Sequence, residues 1–309
     1  MAQQDNNEPP QMDIYDSKIQ RKLKPQDGSL DVLAERIDEL KELFKQEYQQ
    51  NQELYDQRDY DRLMDEQDDW HARRWIIYQR DVAQAFEMLK DTMRWRKSMN
   101  LNELSYEDFP REFYECGCVF EYGQDKKGRS VLYIRCRLFR PMNEFTELYD
   151  KYFAFMIDQC DKRSKSRGFS MIYDVTDAGL SNVEMSTIKF MTSLRDRFPL
   201  SSRQILIAGL PWILMPVFKI VMSLIPASHA AAFKLINMDE LTQYIEDNQI
   251  PSSMGGTSKA KFQLIPISAR SALEFPEISQ GAAGKLKKHV EAKTHPSEYE
   301  EVPSLRVIR

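Results

Sequence analysis

Apolar residues in the first hundred positions recur at the spacing of a helix. The first stripe follows steps of 4, 3, 4 and 4 along Leu33, Ile37, Leu40, Phe44 and Tyr48. A second helix is predicted over about 70–78 and a third over about 81–98, for which Asp81 is a good N-cap. The pattern therefore predicts a helical N-terminal lobe over 29–105.

After Cys118 the pattern changes to short apolar runs of strand length. "CVFEYG" and "SVLYIRCR" are separated by the polar loop "QDKKGR". Three further runs, "GFSMIYDV", "QILIAGL" and "AAFKLINM", alternate with helical stretches. Buried strands that alternate with helices indicate a mainly parallel sheet with crossover helices. We predict an α/β fold, with this sheet domain over 106–257.

Both ends of the chain lack this order. Residues 1–28 are polar and show no apolar period, which predicts a disordered tail. Residues 258–309 contain prolines, small residues and a basic cluster at 285–289, and we expect an irregular tail that the fold does not need beyond Thr257. The basic cluster is interpreted either as a solvated flexible segment or as an electrostatic contact with anionic membranes.

The segment "PWILMPVFKIVMSLIP" at 211–226 contains a single charge, Lys219, in a chain that is 29% charged. It is too short to span a bilayer, which takes about 20 apolar residues of helix. Two interpretations stay open at this point. The segment is either a buried core helix, or a helix that contacts an apolar cavity and at times lipid.

Charge and cysteine content narrow the class of partner. The net charge of −5 in 309 residues argues against nucleic acid as the main partner. The start of the chain, "MAQQDNNEPPQMD", does not resemble a signal peptide, so we expect four reduced thiols in a cytoplasmic protein. The four cysteines are Cys116, Cys118, Cys136 and Cys160.

A catalytic or metal site does not emerge from the sequence. The four histidines show no metal-ligand spacing, no G-x-S-x-G follows a strand, and no glycine-rich phosphate loop opens a helix. Asp174 and Asp177 follow a strand and could act as an acid–base pair, but loop and helix capping is the favoured role. We predict a binding protein with no metal or cofactor rather than an enzyme.

Five ordered motifs resemble the CRAL-TRIO family of lipid-binding proteins. They are "DVAQAFEMLKDTMRWRKSMNLNEL", "YGQDKKGRSVLYIR", "MIYDVTDAGLSNV", "AGLPWILMPVFKIVMSLIP" and "IPSSMGGT", within about 68–257. Four shorter motifs, "DDW", "LPW", "AAFK" and "MGGT", resemble members in which this domain precedes a major sperm protein domain.

The resemblance implies a fold and a function. It implies a sheet that encloses an apolar pocket under a mobile lid helix at 212–225, with Pro211 and Pro226 as candidate hinges. It also implies that the chain binds a phospholipid or similar lipid and transfers it between membranes, which it contacts transiently. The alternative is an adaptor with a filled pocket that holds a protein partner, whose identity the sequence does not indicate.

Candidate site residues follow from the strands and the lid. The predicted pocket residues are Tyr133, Met171, Tyr173, Ile207, Phe218, Val221, Met222 and Ile225. The predicted membrane-contacting face of the lid is Trp212, Met215, Phe218 and Met222.

The residues that would select the lipid headgroup differ from those of phosphatidylinositol binders. Ala231 and Leu200 stand where the resemblance implies a lysine and an acidic residue. Arg73, Arg135 and Lys219 are the remaining candidates for neutralising a headgroup phosphate. We therefore expect that phosphatidylinositol is not the preferred ligand.

Overall fold

The structure is a computed structural model that describes residues 30–225, 230–261, 263–293, 299–303, 305, 307 and 308. The disordered tail predicted over 1–28 lies outside the described residues.

Four helices form the N-terminal lobe. They are α1 (Leu30–Gln50), α2 (Gln57–Met64), α3 (Trp70–Gln79) and α4 (Val82–Ser98). The predicted stripe of α1 is buried from Ile37 to Tyr48 and shares one apolar cluster with α3 and α4. The Asp81 side chain accepts a hydrogen bond of 2.9 Å from the Gln84 N–H, which confirms the predicted cap.

Five strands form the main sheet in the order β1-β2-β3-β4-β5. Their bounds are β1 (Val119–Gln124), β2 (Ser130–Arg135), β3 (Phe169–Asp174), β4 (Ser202–Ala208) and β5 (Phe233–Ile236). Only the β1–β2 pair is antiparallel, and the other three pairs are parallel. The predicted α/β fold with a mainly parallel sheet is confirmed.

Helices precede the sheet and connect its strands. A short helix, α5 (Arg111–Cys116), leads into β1, and α6 (Thr146–Ser164), α7 (Met185–Arg197) and α8 (Met215–Ser223) form the crossovers. After β5 the chain forms a 3₁₀ helix over Met238–Gln243. These crossovers are the parallel connections that the alternating sequence pattern predicts.

Side chains alternate between two buried faces of the sheet. Met171, Tyr173 and Ile205 point to the front face, where α6 and α7 pack. Ile172 and Leu206 point to the back face, which the segment after β5 covers. Because both faces are buried, the strands read as nearly continuous apolar runs in the sequence.

Buried ion pairs join the helical lobe to the sheet domain. The Arg74 Nη1 lies 2.8 Å from the Asp161 Oδ2 of α6, and its Nε donates to the Pro199 carbonyl at 2.9 Å. Arg96 donates to Asp59 and to Asp158 of α6, at 2.9 and 2.8 Å. Burial of unpaired charges is costly, so these paired contacts fix the lobe against α6.

The expectation of an irregular C-terminal tail is wrong for the described residues. The segment forms β6 (Gln263–Pro266), α9 (Gln280–Glu291) and β7 (Tyr299–Val302), with β6 and β7 paired in parallel. Its apolar residues lie in the main core beside α5 and α6, among them Ile265, Phe275 and Leu286. They are spaced among small and polar residues, which weakens the periodic signal.

The basic cluster at 285–289 is part of α9 and not a flexible segment. Lys285, Lys287 and Lys288 are exposed, whereas the His289 Nε2 lies 2.8 Å from the Leu138 carbonyl oxygen. The cluster is therefore the outer face of a helix whose inner face packs into the core. A chain ending at Thr257 would uncover that core, contrary to the expectation from sequence.

A pair of leucine substitutions tests this role of the C-terminal segment. Leu286 is 4% exposed and Leu273 is 36% exposed, although both lie in this segment. We expect Leu286→Ala to lower the free energy of unfolding by about 2–5 kcal/mol, because it leaves a cavity in the core. Leu273→Ala should change it by less than about 1 kcal/mol. Urea denaturation measures both, and equal effects would contradict the packing described here.

Candidate functional site

An apolar cavity of about 210 Å³ lies between the front face of the sheet and the helices α6, α7 and α8. The sheet contributes Ile134, Met171, Tyr173, Ile205, Ile207 and Phe233 to its wall. The register places these side chains beside one another, because Ile134 pairs with Tyr173, Tyr173 with Ile207, and Ile205 with Phe233. The front face of the sheet therefore forms a continuous apolar floor.

Six of the eight predicted pocket residues line this cavity. They are Met171, Tyr173, Ile207, Phe218, Val221 and Ile225. Tyr133 does not line it, because its register partner Ile172 belongs to the back face. Its ring stacks on Phe120 with the centroids 5.0 Å apart, and the neighbouring Ile134 faces the cavity. Met222 is partly exposed on α8 and is not among the lining residues either.

Sequence reasoning missed the wall that α7 forms. Thr187, Ile188, Met191, Thr192 and Arg195 of this helix line the cavity. Their spacing of 1, 3, 1 and 3 follows one helical face, so the periodicity of 183–198 could have identified this face as buried. The polar threonines and the arginine concealed it, because a purely apolar stripe is the usual sign of a buried face.

The lid is a 3₁₀ turn, Trp212–Leu214, that continues into α8. Gly209 precedes it with a φ of +69°, and a Cβ at this position would lie 2.2 Å from the Thr176 Oγ1. A glycine is needed there for both reasons. Pro211 begins the lid as the residue before the turn, while Pro226, the other candidate hinge, lies outside the described residues.

The lid has apolar side chains on both of its faces. Leu214, Val217, Phe218 and Val221 face the cavity. On the outside, Trp212 is 84% exposed and Ile220 is 48% exposed. Ile213 and Leu224 are exposed as well. The lid therefore exposes several large apolar side chains to solvent in addition to those that line the cavity.

The outer face differs from the predicted one. Trp212 is exposed as predicted, and Met215 and Met222 are partly buried. Phe218, however, points into the cavity. The sequence predicted a stripe of 212, 215, 218 and 222, but the 3₁₀ turn before α8 rotates the helix and brings Ile213, Ile220 and Leu224 outward.

None of the three candidate headgroup residues lines the cavity. Arg73 pairs with Asp69 at 2.5 Å on the surface of α3. Arg135 is buried, and its Nε donates to the Gly117 carbonyl at 2.9 Å. Lys219 is exposed on the outer side of the lid.

Two of the described cavity-lining residues are charged, and they lie on the same helix. Glu184 caps α7 by accepting hydrogen bonds from the N–H groups of Ser186 and Thr187, at 3.0 and 2.6 Å. Burial alone would raise the pKa of Glu184, but these hydrogen bonds outweigh it and lower the pKa to about 2. Arg195 lies near the other end of the helix, with its guanidinium carbon 5.4 Å from the centre of the Phe233 ring.

The remaining candidates for chemistry have structural roles. The Asp174 carboxylate accepts the Thr176 N–H at 3.0 Å and so caps the turn after β3. Asp177 is exposed, with an oxygen 3.8 Å from Arg137. The four cysteines are free, as predicted, and burial raises the pKa of each thiol. Within the described ranges, no group of three His, Cys, Asp or Glu side chains could hold a metal ion.

No helix in the described ranges combines the length and the apolar character that a membrane span requires.

Comparisons with known proteins point to one family. Residues 114–256 match the CRAL/TRIO domain. A CRAL-TRIO domain-containing protein of Schizosaccharomyces pombe is 26% identical over 235 residues, which are 72% of this chain and 49% of that protein. Patellin-2 of Arabidopsis thaliana is 26% identical over 196 residues, or 58% of this chain and 29% of Patellin-2. The chain thus spans half or less of the length of these relatives.

A solved structure shares the fold. The crystal structure of Sfh5 superposes with a TM-score of 0.53 at 14% identity, over 68% of this chain and 78% of Sfh5. The family match confirms the CRAL-TRIO domain predicted from the five motifs for residues 114–256. The narrower likeness to members with a major sperm protein domain stays a prediction.

Asp150 of α6, whose charge interacts with that of the cavity-lining Glu184, provides a pH test of this region. Burial, and secondly the charge of Glu184, raise the pKa of Asp150 to about 6, and its buried Oδ1 has no hydrogen-bond partner among the described residues. The folded protein then binds more protons than the unfolded chain between about pH 4 and pH 6, so stability falls as the pH rises through that window.

We expect Asp150→Asn to raise the free energy of unfolding at pH 7.5 by about 1 kcal/mol, a figure discounted for solvent screening. The gain should vanish as the pH falls to about 3, where the aspartic acid is mostly neutral in both states. Denaturation at the two pH values measures it, with Asp177→Asn, an exposed carboxylate, as the control. A gain independent of pH would contradict the assignment.

Proposed function

On the premise that residues 114–256 match the CRAL/TRIO domain, we propose that the chain binds a hydrophobic ligand, a phospholipid or similar lipid, in the cavity and transfers it between membranes. The observation that carries the proposal is the cavity itself, which is closed by a lid with apolar residues on both faces. We expect a cytoplasmic protein that contacts membranes transiently.

The cost of an empty cavity supports a bound ligand. A void enclosed in a protein core destabilises it by about 24 cal/mol for each Å³, so about 5 kcal/mol is an upper bound for the 210 Å³ of this partly open cavity. That bound is a large part of the stability of a typical domain. Water would gain little there, since the walls are mostly apolar. An apolar ligand removes the cost by restoring contacts along the floor and the lid.

The anatomy of the lid supports exchange with a membrane. α8 contains no fully buried residue, because its inner face borders the cavity and its outer face borders solvent. If the lid opened in water, Val217, Phe218 and Val221 would become exposed. Contact of Trp212 and Ile220 with a bilayer offsets that cost, since burial of each such side chain gives about 1.5–3 kcal/mol. Opening is therefore favoured at a membrane surface.

The alternative adaptor function requires a filled pocket. Bulky residues do occupy the lid, but Phe218 and its neighbours leave about 210 Å³ unfilled. The geometry thus favours ligand binding over a purely structural use of the fold.

The proposal excludes phosphatidylinositol as the preferred ligand. Leu200 is buried at a φ of +62° and Ala231 is exposed, so neither supplies a charge to a headgroup. The three basic candidates lie outside the cavity wall.

A lipid transfer assay tests the proposed function. We expect the full chain to move labelled phosphatidylcholine between vesicles, and phosphatidylinositol to compete no better than phosphatidylcholine. Native mass spectrometry should show one lipid for each protein as purified. No bound lipid, together with no transfer of a phospholipid, sterol or retinoid, would refute the proposal. Preference for phosphatidylinositol would refute only its specificity.

A matched pair of isoleucine substitutions tests the membrane face. We expect Ile220→Asp to lower binding to phosphatidylcholine vesicles roughly tenfold or more, because an apolar contact is replaced by a charge. Co-sedimentation measures the effect. The control is Ile267→Asp, since Ile267 is 58% exposed but lies beyond β6, away from the lid.

Phe218→Asp separates the two faces of the lid. It should reduce the amount of bound lipid while circular dichroism stays native.

For the isoleucine pair, equal vesicle binding by the Ile220→Asp and Ile267→Asp variants would place the membrane contact elsewhere, for example on the basic face of α9.

A further inference from the structure

We propose that the ligand is an acidic lipid, an apolar chain that carries a carboxylate or a phosphate, and that its anionic group pairs with Arg195 inside the cavity. This inference rests on the proposed function, because it names the class of ligand that the same cavity would take.

Arg195 is a half-buried residue at the inner end of the cavity. It lies in the last turn of α7, and Ser202 and Phe233, the first residues of β4 and β5, line the cavity with it. The Phe233 ring covers its guanidinium at 5.4 Å, a distance typical of a cation–π contact. Such a contact leaves the edge of the guanidinium, where the N–H groups point, available to an acceptor.

Two side-chain nitrogens of Arg195 have no acceptor among the described residues. The Nε and Nη1 atoms are buried and have no hydrogen-bond partner within the part of the chain that the structure describes. No described carboxylate forms an ion pair with this residue, whereas its neighbours are paired: Asp196 accepts from the Tyr78 hydroxyl at 2.7 Å, and Arg197 lies 2.5 Å from Asp91. The unpaired cation is therefore a local exception and not a feature of the whole helix.

The other charged residue of the wall does not compensate Arg195. Glu184 precedes it by eleven positions on the same helical stretch, which is roughly 16 Å along a helix axis. Its carboxylate is occupied by the helix-capping hydrogen bonds. Of the polar side chains in the wall, Thr192 donates to the Ile188 carbonyl at 2.8 Å and Ser201 donates to Asp161. Among the described residues of the wall, Arg195 is the one with buried side-chain nitrogen or oxygen atoms that have no hydrogen-bond partner.

A buried donor without an acceptor is costly, and the cost is largest for a charged donor. An oxyanion in the cavity would remove it. The planar guanidinium fork matches a carboxylate or a phosphate with two parallel hydrogen bonds, which a neutral ester, alcohol or sterol cannot reproduce. The remaining wall is apolar, so the ligand must combine an oxyanion with a hydrocarbon chain. The acid would lie at the inner end and the chain along the floor.

A comparison of an acid with its ester tests the inference. The probes are oleic acid and methyl oleate, measured by displacement of a fluorescent lipid from the full chain after delipidation. We expect the acid to bind at least tenfold more tightly than the ester, because only the acid forms the charged hydrogen bonds. Arg195→Leu should remove this preference and retain the ester affinity. The matched control is Lys189→Leu, since Lys189 is an exposed cation on the same helix.

A second pair of probes identifies the oxyanion. Here the affinity for oleoyl lysophosphatidic acid is compared with the affinity for oleoyl glycerol. This pair tests recognition of a phosphate, as the first pair tests recognition of a carboxylate. A preference for either acid that depends on Arg195 supports the proposal and assigns the group. Equal binding of acid and neutral partner in both pairs by the wild-type protein would overturn it, while binding of the neutral probes would leave the proposed function intact. No binding of any probe, with no lipid transfer, would refute both.

The stability of the variant provides a readout that does not depend on ligand. Arg195→Leu removes an unpaired cation, so the delipidated variant should unfold at the same or a higher temperature than the delipidated wild type. A large loss of stability would mean that Arg195 has a structural partner, and would also overturn the proposal. Arg195→Gln keeps the polarity without the charge, and the preference for acid over ester should disappear in this variant as well.

Discussion

The architecture depends on one constraint, which is that a parallel sheet with apolar side chains on both faces must be covered on both. The back face is covered by the segment after β5, where Leu241, Ile245 and Ile250 are buried. The front face is covered by α6 and by the C-terminal segment over only part of its area. α7 and α8 cover the rest at a distance, and that separation is the cavity.

The same constraint explains why the two sides of the cavity differ. α6 is held by buried ion pairs, through Asp161 to Arg74 and through Asp158 to Arg96, so it is bound to both the sheet and the helical lobe. The lid is held mainly by half-buried apolar contacts, and it follows Gly209, whose φ is positive. Segments with few buried contacts open at lower free energy than the core. The lid is therefore the wall best suited to move.

Electrostatics separates the framework of the protein from its ligand site. At the contact between lobe and sheet domain, buried arginines meet carboxylates at 2.8–2.9 Å, and these pairs make the lobe and the sheet one unit. In the cavity wall Arg195 has an aromatic ring but no described carboxylate. Arg195 is the cation with which the proposed ligand would pair, and on that proposal the cavity is an amphipathic site rather than a purely apolar one.

The sequence by itself determined the periodic features: the stripe of α1, the cap at Asp81, the alternation of strands and helices, and a lid segment apolar all round. Each follows from local spacing, which the chain carries without reference to its neighbours. Only the tertiary structure decided which face of β2 meets the cavity, and hence that Ile134 and not Tyr133 lines it. It also decided the outer face of the lid, through the 3₁₀ turn, and the burial of the C-terminal segment. These three features depend on strand register and on contacts between residues distant in sequence. In a sheet that is buried on both faces, the same run of apolar residues fits either orientation of its side chains, so the sequence pattern alone does not select one.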